Sequence, residues 1–580
     1  MTVSKLDTSE FHVLKLGPAS GREVNFATNQ YIVVDIEYWT EFERQKLRLG
    51  RSAVIDTHAQ RVSYLLEKQG PATLTRGHRI VDVVDGEAPY AIMIALGTGI
   101  GAQGALAPAL WRAELKSGTG KVIERGSWAV REWDTDQTGE ARVRWEVDPA
   151  TRRHTLFGRS KGSDAWKQVA SGEEFDLFYG YSDTEDAIYI TRVIPGAEAV
   201  VRRSLTSLAD EELARWTDNS VLPVLDPHTD RFLGTLQTFG AMEVEWHDAE
   251  LAGVQGVLNK LHPGRVADIW MWSADRSRFV VRVYGMDAAP EWRLYDSKKR
   301  EISPIGVSYP ELQGATLGTH RVIRYKARDG LDIPALVTLP PGSANLKNLP
   351  LVVLPHDGPG DYDSYEFSWL AQFLATRGYV VLQPQYRGSE GFTAAFRDAG
   401  LKEHAGKIQT DVVDGVAHLV AEGLADPSRV CIAGVGFGGY LALAGATQNP
   451  GAYRCAASIN GYADLAMQVG KPRANGPSDR RRLGYWQRIL GTATDREALA
   501  EASPIRKVSE QTSPVLLVAS ERGAHLAQAK MMRAALQKHG RAVQYDELAG
   551  VEAWDETSAS RTRTLETLGD FLATHLPVSR

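Results

Sequence analysis

The chain has 580 residues, 43% hydrophobic and 24% charged, a globular composition long enough for two to four domains at roughly 100 to 200 residues each. Its 66 basic and 72 acidic residues leave a net charge of −6, which supplies no excess positive field for a phosphate backbone and argues against nucleic-acid binding. The only cysteines, Cys431 and Cys455, exclude a disulfide-dense scaffold and a four-cysteine zinc site, and no metal centre is expected.

The opening residues Met1-Thr2-Val3-Ser4-Lys5-Leu6-Asp7 lack the apolar run of a secretory signal, so the chain as written reads as cytoplasmic, or as exported with a leader removed. From about Tyr31 to Ile305, short β-rich runs such as Ile32 to Ile36, Ile92 to Ile94, Ala141 to Val147 and Ile188 to Ile190 alternate with turn residues, an all-β signature. The uncharged run Ala88 to Trp111 is long enough for a bilayer, but Gly97, Gly99, Gly101, Gly104 and Pro108 make it a poor helix; it reads as a strand followed by a glycine-rich loop, not a membrane segment. A strand-turn theme recurs, with Leu110 to Leu115 before Ser117-Gly118-Thr119-Gly120 and Trp292 to Asp296 before Ser297-Lys298-Lys299. At roughly 40 to 45 residues per four-stranded unit, the region would hold about six or seven β-propeller blades, while a pair of β-sandwiches fits the same weak periodicity.

Near Gly318 the texture changes to strands alternating with amphipathic helices, the pattern of a mostly parallel, doubly wound sheet. The expected domains are therefore 1–317 and 318–580. Leu351 to Leu354, Tyr379 to Leu382, Val430 to Ala433, Cys455 to Ile459 and Val515 to Val518 are nearly all apolar, as strands covered on both faces should be. Helices are expected over Trp369 to Thr376, Asp411 to Glu422, Ala524 to Lys538 and Ser560 to Thr574. Arg480-Arg481-Arg482 reads as a solvated loop. Glu403, His404 and His418 read as solvent-facing residues rather than metal ligands.

The most informative segment runs from Val430 to Leu443, a buried strand that turns into a helix through Gly434, Gly436, Gly438 and Gly439. An α/β-hydrolase places its nucleophile on such an elbow, within Gly-x-Ser-x-Gly. Here Gly434 and Gly438 hold the flanks and Gly436 holds the nucleophile position. The spacing of Gly434, Gly436 and Gly439 also fits a dinucleotide-binding turn, but the next strand ends at Asn460 and not at a ribose-binding acid, so no cofactor is expected. Cys431, mid-strand before the elbow, should be buried and inert; its strand neighbours that of Cys455, which permits a disulfide without requiring one.

These blocks resemble the prolyl oligopeptidase family of serine peptidases, particularly its acylaminoacyl-peptidase and dipeptidyl-peptidase-like members. The likeness rests on His356-Asp357-Gly358-Pro359 against the family's His-Gly-Gly-Pro turn, on Tyr386-Arg387-Gly388-Ser389, on Gly434, Gly438, Gly439 and Tyr440 at the elbow, and on the run from Ser503-Pro504-Ile505 to Val518. The resemblance implies a propeller followed by an α/β-hydrolase domain, and a Ser-Asp-His triad. All three triad positions depart from it. Gly436 replaces the serine, the register of the acid falls on Gly523, and Glu552 stands where the histidine is expected. Loss of the nucleophile alone costs on the order of a millionfold in turnover.

The implied reading is a pseudoenzyme that binds a peptide or protein segment, or assembles with itself or with an active relative. The Phe437 N–H, His356 and Tyr440 are the residues expected to keep an oxyanion site and pocket. The alternative is an active hydrolase using relocated groups, with Ser520 and His525 in the loop after Val518 as candidates.

Overall fold

A computed structural model of the chain describes residues 2–4, 11–13, 20–26, 28–42, 45–69, 78–98, 106–148, 153–172, 178–240, 243–343, 347–449, 451–470, 485–492, 494–509 and 511–578. Gly99, Gly101, Gly104 and the Arg480-Arg481-Arg482 run lie outside the described residues. The chain forms two compact units: Met1–Ile194 with Ala199–Arg215 and Pro223–Leu233, and Pro195–Glu198 with Trp216–Leu222 and Gly234–Arg580.

Among the described residues, after a two-stranded pairing of Thr2–Ser4 with Phe11–Val13, six antiparallel sheets follow one another along the first half of the chain, the blades of a six-bladed β-propeller. Four have four strands each and run from Ser20–Phe26 through Asp210–Trp216; a fifth has three strands, and a sixth has four, from Val266–Trp272 to Glu301–Val307. The apolar run at Tyr90–Thr98 shows why these strands read as nearly continuous hydrophobic stretches. Ala91, Met93 and Ala95 pack on one face with Val33, Val54 and Leu65, whereas Tyr90, Ile92 and Ile94 pack on the other with Leu110, Val130 and Trp133. Successive side chains point to opposite faces, and both faces of this blade are covered.

The β-rich half contains one element its texture did not announce. Ala249–Leu261 is a helix, capped by the Asp248 carboxylate accepting from Glu250 N and Leu251 N, with Leu251, Val254 and Leu258 buried along one face. Gly253 and Gly256 weaken its local propensity, so burial of that stripe has to supply what the backbone does not.

The second unit is built on an eight-stranded sheet. Its strands are β1 (Thr319–Lys326), β2 (Asp332–Leu339), β3 (Leu349–Val353), β4 (Val380–Pro384), β5 (Ala425–Val435), β6 (Cys455–Ile459), β7 (Val515–Ser520) and β8 (Val543–Leu548). Their order is β1-β2-β4-β3-β5-β6-β7-β8, antiparallel from β1 through β4 and parallel from there on. This is the expected α/β-hydrolase sheet. The five apolar runs expected as buried strands are β3 to β7. β1, β2 and β8 join them at the flanks, and β8 carries Gln544, Asp546 and Glu547, too polar to read as a doubly covered strand. Helices Trp369–Ala375, Lys407–Ala421, Leu526–Lys538 and Ser558–His575 match the expected ones to within four residues at their ends. Cys431 and Cys455 are direct register partners on β5 and β6, both fully buried, and form a disulfide with Cα atoms 4.8 Å apart.

A buried ionic knot holds the turn after β4. Arg387 is 3% exposed and Asp411 is fully buried. The guanidinium donates to Asp411 through Nε at 2.8 Å and Nη2 at 2.6 Å, and to Asp329 at 2.8 and 3.0 Å. Burial opposes the guanidinium charge, but the bonds to Asp411 and Asp329 outweigh it and hold Arg387 above its ordinary pKa. Arg387→Ala would leave the Asp411 carboxylate buried without its counterion, and a loss of about 3–5 kcal/mol in unfolding free energy is expected by urea titration. Arg387→Lys should recover only part of it, since an ammonium cannot make the paired contacts.

Candidate active site

The elbow forms because β5 runs directly into a helix, Gly436–Gln448, that is buried from Gly436 through Thr447. Gly436 takes φ +53°, the left-handed conformation an elbow demands and a side chain resists. The segment after β3 lies hard against the helix start: a Cβ on Gly438 would stand 2.1 Å from Pro355 O. That approach brings Asp357 onto the elbow.

The Asp357 carboxylate fills the space of the missing side chain. A Cβ at Gly436 would lie 2.1 Å from Asp357 Oδ1 and 2.3 Å from both Cγ and Oδ2. Oδ1 accepts from Phe437 N at 2.6 Å and from Gly358 N at 2.7 Å. A helix start presents unpaired N–H groups and favours negative charge, and no side-chain cap serves this helix from its own N-cap residue, Val435; the carboxylate from the neighbouring loop takes that place. Crowding by protein raises the Asp357 pKa, with the Phe437 and Gly358 N–H groups pulling the other way. The residue is still open to solvent on one side.

Of the expected pocket residues, His356 and Tyr440 pack inward and the Phe437 N–H is already bonded. The Phe437 N–H is placed as the elbow requires, but it is not free for a peptide carbonyl, because Asp357 already occupies it. His356 packs inward at 7% exposure, stacked on Tyr386 with ring centroids 4.2 Å apart. Its Nε2 lies 2.8 Å from Ser389 Oγ and its Nδ1 3.1 Å from Tyr386 Oη, so the ring serves the turn beneath the site. Burial lowers the His356 pKa to about 4, and the imidazole is neutral near neutral pH. Tyr440 lies in the core: it is fully buried, and its hydroxyl donates to Ala502 O at 3.1 Å and His404 O at 3.3 Å. It stands one helical turn beyond Gly436, on the side of the helix that faces inward. His404, expected at the surface, is itself buried at 5% exposure.

The two other positions that the resemblance assigns to the triad come together in space. Gly523 follows β7 and Glu552 follows β8, and a Cβ on Gly523 would stand 3.2 Å from Glu552 O. Arg522 N donates to Val551 O at 3.0 Å, tying the two loops. This is the juxtaposition an acid and a base would need, but it carries a glycine and a glutamate whose own N–H donates to Glu556 at 2.5 Å. Of the relocated candidates, Ser520 is fully buried, and its Oγ accepts from Asn460 Nδ2 at 3.0 Å and not from His525. His525 packs edge-on against Tyr462 and lies 3.3 Å from Gln468 Nε2. Among the described residues no group of three or more His, Cys, Asp or Glu is arranged to hold a metal ion, and no helix is long and apolar enough to cross a membrane.

Asp357 is the residue that motif reading passed over. Its signal was present: an acidic side chain in a turn where the resembling motif has glycine.

A protonated His356 would have to hold its charge inside the fold. Its folded pKa lies below the ordinary histidine value, so the stability it contributes is complete above about pH 6.5 and is lost as pH falls toward about 4. The advantage of wild type over His356→Gln, measured by denaturant midpoints, should therefore shrink across that window; a constant gap would show that the ring does not stay neutral.

Residues 365–578 match the model of the prolyl oligopeptidase family. A dipeptidyl aminopeptidase BIII of Pseudoxanthomonas mexicana is 30% identical over 283 residues, covering 47% of this chain and 41% of that protein. A dipeptidyl peptidase family member 6 of Caenorhabditis elegans is 29% identical over 317 residues, 48% of this chain and 41% of that one. The chain thus spans about two fifths of the length of these curated relatives. In structure it is similar to a puromycin-hydrolyzing peptidase of Mycobacterium tuberculosis, with a TM-score of 0.70 at 18% identity over 98% of this chain and 90% of that one. The family match covers the α/β unit from residue 365 on, and the six blades with a strand order that delivers an elbow after β5 give the chain the fold of that neighbour.

Proposed function

We propose that this protein is a catalytically silent member of its family, which acts by binding a peptide or protein segment or by assembling with itself or an active relative. One observation carries the reading: the Asp357 carboxylate lies where a nucleophile's side chain would be and takes the elbow N–H that would stabilise an oxyanion. Acyl transfer needs an attacking atom, a base to take its proton and a group to orient that base. Gly436 offers no such atom, and the loops after β7 and β8 offer Gly523 and Glu552. The self-occupied elbow also means that a peptide carbonyl gains no donor from Phe437 while Asp357 stays, so recognition has to use other surfaces.

A fluorophosphonate probe should leave the wild-type protein unlabelled. Gly436→Ser should gain no turnover of acyl-aminoacyl chromogenic esters. It should also lose about 1–3 kcal/mol of stability, because the new side chain strains a left-handed residue and collides with Asp357. Combining Gly436→Ser with Asp357→Gly clears the space but still supplies no base, and its activity should stay on the order of a millionfold below that of an intact triad. Robust ester hydrolysis by the double variant would overturn the reading, since it would reveal a functioning base at the elbow.

A further inference from the structure

The helix Ala249–Leu261 packs on the strands Val244–Trp246 and Val266–Trp272, with Leu251, Val254 and Leu258 buried. Its opposite side is open: Ala249, Gly253, Gly256, Val257, Lys260 and Leu261 are all exposed. Two of these are large apolar side chains, Val257 at 40% and Leu261 at 49% exposure. Ala249, Gly253, Val257 and Leu261 recur at every fourth position and so form one ridge along the helix. Within this copy nothing accounts for the two glycines. A Cβ on Gly253 or Gly256 would meet no atom within 4 Å, and neither residue has a positive φ, yet each costs the helix about 1 kcal/mol against alanine.

We infer that this ridge is an interface between two copies of the chain, in which the helix packs antiparallel against the same helix of a second copy about a two-fold axis level with Gln255. The inference rests on the self-assembly half of the proposed function. Positions equally spaced before and after 255 exchange places across such an axis. Gly253 therefore stands level with Val257 of the partner subunit, Ala249 with Leu261 of the partner subunit, and Glu250 with Lys260 of the partner subunit. Each large side chain meets a small residue, and each carboxylate has an ammonium within reach, which is the self-complementarity a two-fold contact requires. The Glu250 carboxylate is 57% exposed while reaching Arg276 at 3.2 Å, so it has room for a second cation. Among the described residues no carboxylate of its own copy pairs with Lys260. A parallel pairing would set like charges level with each other and align the helix dipoles, and both effects oppose it. The helix has 13 residues and is about 20 Å long. That is short for a protein interface, so a weak dimer is expected, with Kd on the order of 10 µM.

Sedimentation velocity of the full chain, over a concentration series bracketing that value, tests the assignment. A monomer–dimer equilibrium is expected. Gly253→Gln fills the hole opposite Val257 and should weaken the dimer about tenfold. It also replaces glycine with a better helix former, so its urea midpoint should equal or exceed that of wild type and the weakening will not reflect unfolding. Lys260→Glu should weaken the dimer about fivefold, and adding Glu250→Lys should restore it, a rescue that only the antiparallel register gives. A chain that stays monomeric throughout the series overturns this inference and self-assembly with it, while leaving the loss of catalysis to the fluorophosphonate result. A dimer indifferent to all three variants overturns the helix interface and leaves self-assembly to another surface.

Discussion

The hydrogen bond from Phe437 N to the Asp357 carboxylate is the constraint around which the elbow is organised. A helix that begins with a glycine and has no cap of its own leaves N–H groups at its start, in a partly enclosed site where leaving them bare is costly. Asp357 answers that need with a charge, which the helix dipole also favours. The arrangement is possible only because Gly436 has no Cβ and because Gly438 lets the loop after β3 come within contact of the helix. A side chain at position 436 and the carboxylate of residue 357 thus exclude each other.

The scaffold that presents this elbow is held together by buried polar contacts. The Arg387, Asp411 and Asp329 knot, the His356 and Tyr386 stack and the pair of hydrogen bonds between Gln372 and Gly318 all bury polar groups whose partners cannot be removed cheaply. Gly523 and Glu552 meet across the loops after β7 and β8, within reach of the same buried framework.

Much of this was legible in the chain because period and composition report burial. Strands β3 to β7 are covered on both faces and spell themselves as unbroken apolar runs, and the elbow announces itself through glycines at fixed spacing. The six blades were visible only as recurring short strands, since blade repeats here share shape more than sequence. Legibility failed where long-range placement decides the outcome. Nothing local to Tyr440 says that its hydroxyl reaches Ala502, 62 positions away. Nothing local to Asp357 says that its carboxylate meets Phe437 N, 80 positions away. The helix at Ala249–Leu261 was hidden for a related reason: its two glycines argue against it, and only the three side chains it buries argue for it.

The covalent bridge between β5 and β6 gives the elbow a topological property of its own. Cys431 and Cys455 are 24 positions apart and close a ring of backbone that contains the whole turn and the whole helix that follows it. Within that ring lie Gly436, Phe437 and every residue that receives the Asp357 carboxylate from the elbow side. A single backbone cut anywhere inside it would leave the two halves of the molecule tethered, so the elbow is the part of this sheet least able to come away from the rest.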